Sequence, residues 1–333
     1  MNKSEPMPSA VIPAHQHVLV TGGAGFIGAN LVRLLVDCGV QVTVLDNLTA
    51  GCRENLGGLP IEFKQGDILD RNLVKQAVAG NNGVIHLAAQ TGVPGSLRDP
   101  MKDCEVNILG TLNILEACRE EKFRAERRGH PTNATGPRII FASSNAPLGR
   151  QSPPATEEKA PLPVSPYGAS KLAGEAYCLA YYGSWGLETV ALRFGNVYGP
   201  FSVHKTSVVA KFFSDILLEG RIVVDGDGGQ TRDFIYVGDL CRAILLALES
   251  RVSGEVIQIA TGEETSIRSL AELVTKTAGR DVQLDYGPQR LGDVRRNYSD
   301  VSKAKRLLDW EPQLSLPKGL LTTWEALQIA RGR

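Results

Sequence analysis

The chain lacks the cysteine and histidine spacings of a metal site, a surplus of charge of either sign, and any apolar run of bilayer-spanning length. Its six cysteines (Cys38, Cys52, Cys104, Cys118, Cys178, Cys241) are scattered without a CxxC pair, and its five histidines form no HExxH. Both patterns point away from zinc. Most of the cysteines fall in apolar helical stretches, where a reduced thiol behaves as a small hydrophobe. That usage is expected of a protein of the reducing cytoplasm. Lys and Arg number 36 against 36 Asp and Glu. With only a short basic patch at Arg124–Arg128, the chain offers little electrostatic footprint to nucleic acid or to an anionic membrane. An anionic substrate must then be held by a few placed cations. No segment approaches transmembrane length. Residues 1–16 contain Pro6, Pro8 and Pro13 but no apolar stretch of signal-peptide length, and read as a loose tail.

What is present is ordinary in amount and informative in order. The 333 residues, 43% hydrophobic and 22% charged, suffice for one large core or two modest ones. Short apolar runs read as strands at His17–Thr21, Val40–Asp46, Ile61–Gln65, Gly83–Leu87, Arg138–Ser143 and Glu188–Arg193. Helical periodicity covers Phe26–Cys38, ending at Gly39, then Met101–Glu121 and Tyr167–Trp185. Strand and helix in alternation imply an α/β fold, a doubly wound parallel sheet covered on both faces. The character changes after Asn196, where glycine and proline become frequent and strands shorten. We therefore expect a first domain over 17–195, to which 232–250 returns, and a smaller lobe from 196–231 and 251–333. A polar insertion spans Arg124–Pro137, and its Asn133-Ala134-Thr135 triplet means little in a cytosolic protein.

The strongest local signal is TGGAGFIG, Thr21–Gly28, between the first strand and the first helix. A glycine triplet alone marks only a tight turn. In this position Gly22, Gly25 and Gly28 let the backbone approach a pyrophosphate, to which the helix N-terminus offers free N–H groups. Asp46 closes the second strand roughly 20 residues further on, where a carboxylate can bond a ribose 2′-hydroxyl and repel a 2′-phosphate; NAD is favoured over NADP. Asp67 follows the third strand, and spacing leaves open whether it meets the adenine or only caps the strand end. Ala88 and Ala89 after the fourth strand are small enough for a cofactor to pass.

Tyr167 and Lys171 form a YxxxK pair that puts phenol and ammonium on one helical face. A free tyrosine, with a pKa of about 10, is a poor base at neutral pH. A neighbouring ammonium and a cationic nicotinamide would favour the phenolate. Ser143 and Ser144, at a strand end about two dozen residues earlier, add a hydroxyl that can share the proton.

Together these segments resemble the extended short-chain dehydrogenases: TGGAGFIG, Asp46, HLAAQ at His86–Gln90, the Ser–Tyr–Lys set, and RFGNVYGP at Arg193–Pro200. DGGQTRDFIYVGDL (Asp227–Leu240) and RLGDVRRNYSD (Arg290–Asp300) narrow the resemblance to the NAD-dependent epimerase/dehydratase family acting on nucleotide sugars. The resemblance implies a Rossmann domain with a smaller substrate lobe, and catalytic roles for Ser144, Tyr167 and Lys171. It implies a cofactor site of Gly22, Gly25, Phe26, Ile27, Gly28, Asp46, Asn47, Asp67, Ile68, Leu87, Ala88 and Ala89, with Tyr167 and Lys171. Asn196, Arg232, Arg290, Asp293 and Asn297, with Ser144, would line the substrate pocket. Arginine suits a diphosphate because its planar fork matches phosphate oxygens, with a surface salt bridge the lesser alternative for each.

Members of the family share oxidation at sugar C4. Its dehydratases carry an Asp-Glu pair after the catalytic hydroxyl and its decarboxylases a Glu, whereas Asn145, Ala146 and Pro147 follow Ser144 here. Simple C4 epimerisation through a transient 4-keto sugar remains. A dehydrogenase or reductase with net NADH turnover would use the same triad, and a non-catalytic sugar-nucleotide sensor would be expected to have lost it. Pro147-Leu148-Gly149 replaces the family's usual VYG. The position seven after Arg290 is Asn297, where family members restrict the sugar's C2 substituent. Asparagine there admits an N-acetyl group, with UDP-GlcNAc/UDP-GalNAc the first candidate pair and a uronic acid the alternative. The resemblance also implies a homodimer through the Met101–Glu121 and Tyr167–Trp185 helices.

Overall fold

The computed structural model describes residues 16–127, 136–202, 207–288 and 294–331. Expectations for the N-terminal tail, Asn133, Arg290 and Asp293 lie outside these. Seven strands form one parallel sheet: β1 (His17–Thr21), β2 (Gln41–Asp46), β3 (Ile61–Gln65), β4 (Gly83–His86), β5 (Arg138–Ser144), β6 (Thr189–Phe194) and β11 (Glu255–Ile259). Their order is β11-β6-β5-β4-β1-β2-β3, and every neighbouring pair is parallel. The chain leaves β1 in one direction and enters β4 in the other, a topological switch that opens a crevice at the strands' C-terminal ends. The central strands are mostly apolar and almost wholly buried because helices cover both faces.

On one face lie α1 (Phe26–Asp37) and α8 (Val237–Glu249), packed through Leu31, Leu35, Leu240 and Ile244. On the other lie α2 (Arg71–Val78), α5 (Gly110–Arg127) and α6 (Pro166–Trp185), whose contacts with the sheet include Val74, Ile114, Leu115 and Cys178. Helix α6 starts where Ser165 Oγ accepts from Gly168 N at 3.1 Å and Pro166 occupies the first turn. It ends at Gly186 in the left-handed conformation.

Two differences from the sequence reading have physical causes. The expected single helix over Met101–Glu121 is instead α4 (Pro100–Cys104), a π-helical turn at Glu105–Leu109 and α5, with a short α3 (Val93–Arg98) ahead of them. Such wide turns occur mainly at functional sites, and this one carries the buried Asn107. Residues 251–333 were expected in the smaller lobe, yet β11 extends the main sheet by pairing with β6. Gly254 N bonds Thr189 O and starts that register. Helix α10 (Ser302–Leu308) and Trp310 join the same core.

The remaining elements form a separate core. They are β7 (Asn196–Tyr198), α7 (Val208–Glu219), β8 (Arg221–Asp225), β9 (Thr231–Arg232), β10 (Phe234–Tyr236), β12 (Thr265–Ser266), α9 (Ile267–Ala278), β13 (Gln283–Gly287) and α11 (Leu316–Arg331). Phe213 and Trp324 meet in this core with ring centroids 5.2 Å apart.

Candidate active site

A cavity of about 280 Å³ opens at the C-terminal ends of the parallel strands. Gly22 turns the chain with φ +69°, and a Cβ there would lie 2.8 Å from Ala88 N. A Cβ on Gly28 would lie 2.3 Å from Gly22 O. The turn therefore excludes side chains, leaving main chain at the cavity wall. Helix α1 begins after Gly25 with no side-chain cap, so its first-turn N–H groups remain for an anion. This cradle fits a dinucleotide pyrophosphate.

Every residue of the expected cofactor set lines this one cavity: Gly22, Gly25, Phe26, Ile27, Gly28, Asp46, Asn47, Asp67, Ile68, Leu87, Ala88, Ala89, Tyr167 and Lys171. Asp46 is held by main-chain donors, Ala24 N to Oδ2 at 2.9 Å and Leu48 N to Oδ1 at 2.8 Å. Each carboxylate oxygen keeps a lone pair for a further donor such as a ribose hydroxyl. Asp67 accepts from Asn47 Nδ2 and from Leu69 N, both at 2.9 Å. It thus caps the strand end and also lines the cavity, so the two readings of Asp67 are compatible. Lining residues not assigned from the sequence include Gln90 and Phe194, which lie within the HLAAQ and RFGNVYGP segments, and Lys102, Val106 and Ala142, which carry no local signature.

The reactive groups converge on the same wall. Ser144 hydrogen-bonds the Tyr167 phenol, and its Oγ also accepts from Ala146 N at 3.2 Å. Ser143 also lines the cavity, but its hydroxyl is committed, donating to Glu175 Oε1 at 2.5 Å. Glu175 is paired bidentately with Arg193 at 2.9 and 2.7 Å, both side chains 3% exposed. Lys171 Nζ donates to Ala142 O at 2.9 Å. Burial raises the Tyr167 phenol to about 12, although the Ser144 hydrogen bond pulls the other way. Burial lowers Lys171 to about 8, opposed chiefly by the charge of Asp103. In the protein without its cofactor, desolvation dominates the phenol; the expected pull toward phenolate invoked the ammonium together with the cationic nicotinamide.

His86 of the HLAAQ segment is structural. It is buried between Thr21 Oγ1 at 2.7 Å and Thr111 Oγ1 at 3.1 Å. Burial and then the Lys171 charge lower it to about 3, so it is neutral. Asn107, unmarked in sequence, accepts from Gln90 N at 2.8 Å and donates toward Gln90 O at 3.0 Å. It fixes the loop that leaves β4 along the cavity.

The expected substrate residues are more dispersed. Asn196 is exposed on β7, and its N–H bonds Asp233 O at 2.8 Å. Arg232 Nη1 donates to Thr231 O at 2.6 Å and Val294 O at 2.8 Å, which ties it to the segment carrying Asn297. Asn297 lines a small second cavity with Asn145, Leu148, Gly149 and Tyr298. Leu148, in place of the family's tyrosine, is buried, so the Pro147-Leu148 departure contributes packing to this wall. The buried Asp233 carboxylate accepts from Thr261 N, Thr261 Oγ1, Gly262 N and Ser299 N at 2.6–3.2 Å. Asn145 Nδ2 donates to Ser299 Oγ at 3.0 Å. Arg290 and Asp293 lie outside the described residues. Among the described residues, no helix is long and apolar enough to cross a membrane and no acidic, histidine or cysteine cluster could hold a metal.

Residues 18–260 match the NAD dependent epimerase/dehydratase family. A putative UDP-glucose 4-epimerase of Methanocaldococcus jannaschii is 38% identical over 308 residues, covering 91% of this chain and 95% of the relative. The UDP-glucose 4-epimerase of Thermotoga maritima, solved with UDP-glucose, superimposes with a TM-score of 0.85 at 36% identity, over 95% of this chain and 99% of that one. A UDP-N-acetylglucosamine 4-epimerase from Methanobrevibacter ruminantium, in complex with UDP-N-acetylmuramic acid, gives a TM-score of 0.86 at 32% identity, again over 95% and 99%. With its Rossmann sheet and glycine cradle, the chain belongs to the NAD-dependent epimerase/dehydratase family and is an enzyme of that class with NAD as its cofactor.

Proposed function

We propose that the enzyme inverts C4 of a UDP-hexose and accepts N-acetylhexosamines, with Tyr167 as the group that takes and returns the hydroxyl proton. One observation carries the reading: Tyr167 sits on the cavity wall against Ser144, and Asn145 and Ala146 follow where removal of water or carbon dioxide would require carboxylates. NAD, when bound, supplies the hydride acceptor and donor for the sugar carbon. Ser144 lies between substrate oxygen and phenol and can relay the proton. Lys171, still protonated at neutral pH, and the cationic ring of the oxidised cofactor are the positive charges that favour phenolate. Asn297 and Leu148 leave the wall near the second cavity without the bulky tyrosine that would crowd an acetamido group, and the Methanobrevibacter neighbour acts on such a sugar.

The active form is a homodimer through α4, α5 and α6. Beyond Lys171, the only charged residue on α6 is Glu175, which is buried, while Tyr177, Leu179, Tyr182 and Trp185 are exposed. Met101 and Leu109 are exposed on the neighbouring helical stretch. A helix apolar on its outer face is expected to be covered.

The test is a panel of UDP-glucose, UDP-N-acetylglucosamine, UDP-glucuronate and dTDP-glucose, incubated with NAD-loaded enzyme and read by proton NMR. Inversion at C4 of UDP-N-acetylglucosamine without net NADH is expected. Stoichiometric NADH, or loss of water from the sugar, would overturn epimerisation. Inversion of the uronate alone would overturn the sugar assignment.

A further inference from the structure

Asp103 is a carboxylate that is only 1% exposed, on the last turn of α4 just before the π-helical turn. Its Oδ1 accepts from Asn107 Nδ2 at 2.9 Å. The same amide nitrogen lies 3.1 Å from Ser170 Oγ, a neighbour of Lys171 in the chain. The Ser170 hydroxyl in turn lies 3.1 Å from the carbonyl oxygen of Tyr167. Asp103 is thereby braced against the first turns of the helix that carries both reactive groups. Lys171, by contrast, has a neutral carbonyl, Ala142 O, as its hydrogen-bond partner. The acid on that helix itself, Glu175, is committed to Arg193 and Ser143.

A buried ammonium needs a nearby negative charge, since burial otherwise drives off its proton. We propose that Asp103 is a positioning residue and the counter-charge of the Tyr167–Lys171 pair, setting the pH range over which the pair exchanges protons. The inference rests on Tyr167 as the acid–base group. Across Asn107 and Ser170, Asp103 meets α6, whose Tyr167 and Lys171 feel its charge, with Glu175 acting on Lys171 from the same helix. Lys102 and Glu105 flank it on its own stretch, and His86 from β4 is neutral. Consistent with the arrangement, the Asp103 charge raises the proton affinity of both Lys171 and Tyr167.

The sign follows for the coupled pair. The active form carries phenolate and ammonium, one proton fewer than the acid form and one more than the alkaline form. A fixed negative charge favours the more protonated member of each step, so removing it lowers both apparent pKa values of the pair. In NAD-loaded Asp103→Asn, both limbs of the kcat profile, measured with whichever of UDP-glucose or UDP-N-acetylglucosamine turns over, should move to lower pH by about one unit. Asp103→Glu keeps the charge and should keep the limbs near their wild-type positions whatever its kcat. Should the asparagine variant fail to fold, Asp103→Ser carries the same expectation. A substrate-free reading is the ¹⁵N resonance of the Lys171 amine, identified by its loss in Lys171→Met, which should titrate at lower pH in the neutral variant. Limbs and resonance that stay in place, with or without a fall in kcat, overturn the proposal. Near-normal turnover by Tyr167→Phe would instead overturn the acid–base reading beneath it.

Discussion

Around the cofactor cavity the work is done by main chain that is close in sequence: the Gly22–Gly28 turn, the start of α1, and two N–H groups that orient Asp46. Across from it, the segment bearing Asn297 is held by side chains from far along the chain. Asp233 gathers Thr261, Gly262 and Ser299, Asn145 reaches Ser299, and Arg232 reaches Val294. The first construction depends on the absence of atoms and the second on the presence of polar ones. The first keeps the same shape under most surface substitutions, while the second can be retuned by one residue, which suits a constant cofactor and a variable sugar.

The sharpest break should come at Asp233. Replacing it with alanine strands the buried Ser299 N–H, the part-buried Thr261 and Gly262 N–H groups and the Thr261 hydroxyl, and should lower unfolding stability by about 3 kcal/mol in chemical denaturation. Because the Asp233 side chain does not line the cofactor cavity, NAD affinity of the folded variant should stay within about twofold of wild type while KM for the UDP-sugar rises. A parallel loss of NAD affinity would show that the two constructions are one.

Gly28→Ala attacks the other side. Its Cβ would fall 2.3 Å from Gly22 O, and the main chain must shift at a cost of about 2 kcal/mol. Calorimetric NAD affinity should fall with it, and KM for the sugar should change little. Unchanged NAD affinity would mean that the glycine turn is not the cofactor cradle.

His86 gives the cofactor half a pH signature. Its folded pKa, lowered to about 3, lies below the unfolded value of about 6.5. The folded state therefore binds fewer protons than the unfolded one between those values. Stability is fully present above about pH 6.5 and falls as pH drops toward 3, by up to about 1.4 kcal/mol per unit. His86→Gln should flatten that part of the stability–pH curve measured by urea unfolding, and an unaltered slope would assign the acid sensitivity elsewhere.

The smallest effect is the most specific. Asn297→Tyr should leave stability and NAD binding alone and reduce kcat/KM for UDP-N-acetylglucosamine relative to UDP-glucose by about tenfold, the scale of a modest steric discrimination. An unchanged ratio would remove Asn297 as the gate.

Periodicity and glycine placement made the sheet, α1, α6 and the cofactor residues legible in the sequence, because each depends on neighbours within one strand–turn–helix unit. The YxxxK pair was legible for the same reason, as both residues share one helix. The assignment of β11 to the main sheet, the π-helical turn and the burial of Asp103 were not. Each arises from pairing or packing between residues far apart in the chain, for which a local pattern has no term. By itself the sequence determined the alternating fold and the choice of NAD, and it nominated Ser144, Tyr167 and Lys171 as the reactive groups. Only the tertiary structure decided that Ser143 is committed to Glu175, that His86 is buried and neutral, and that an acid from another helix is braced against α6. Proton affinities depend on burial and on charges across space, and neither exists until the helices dock.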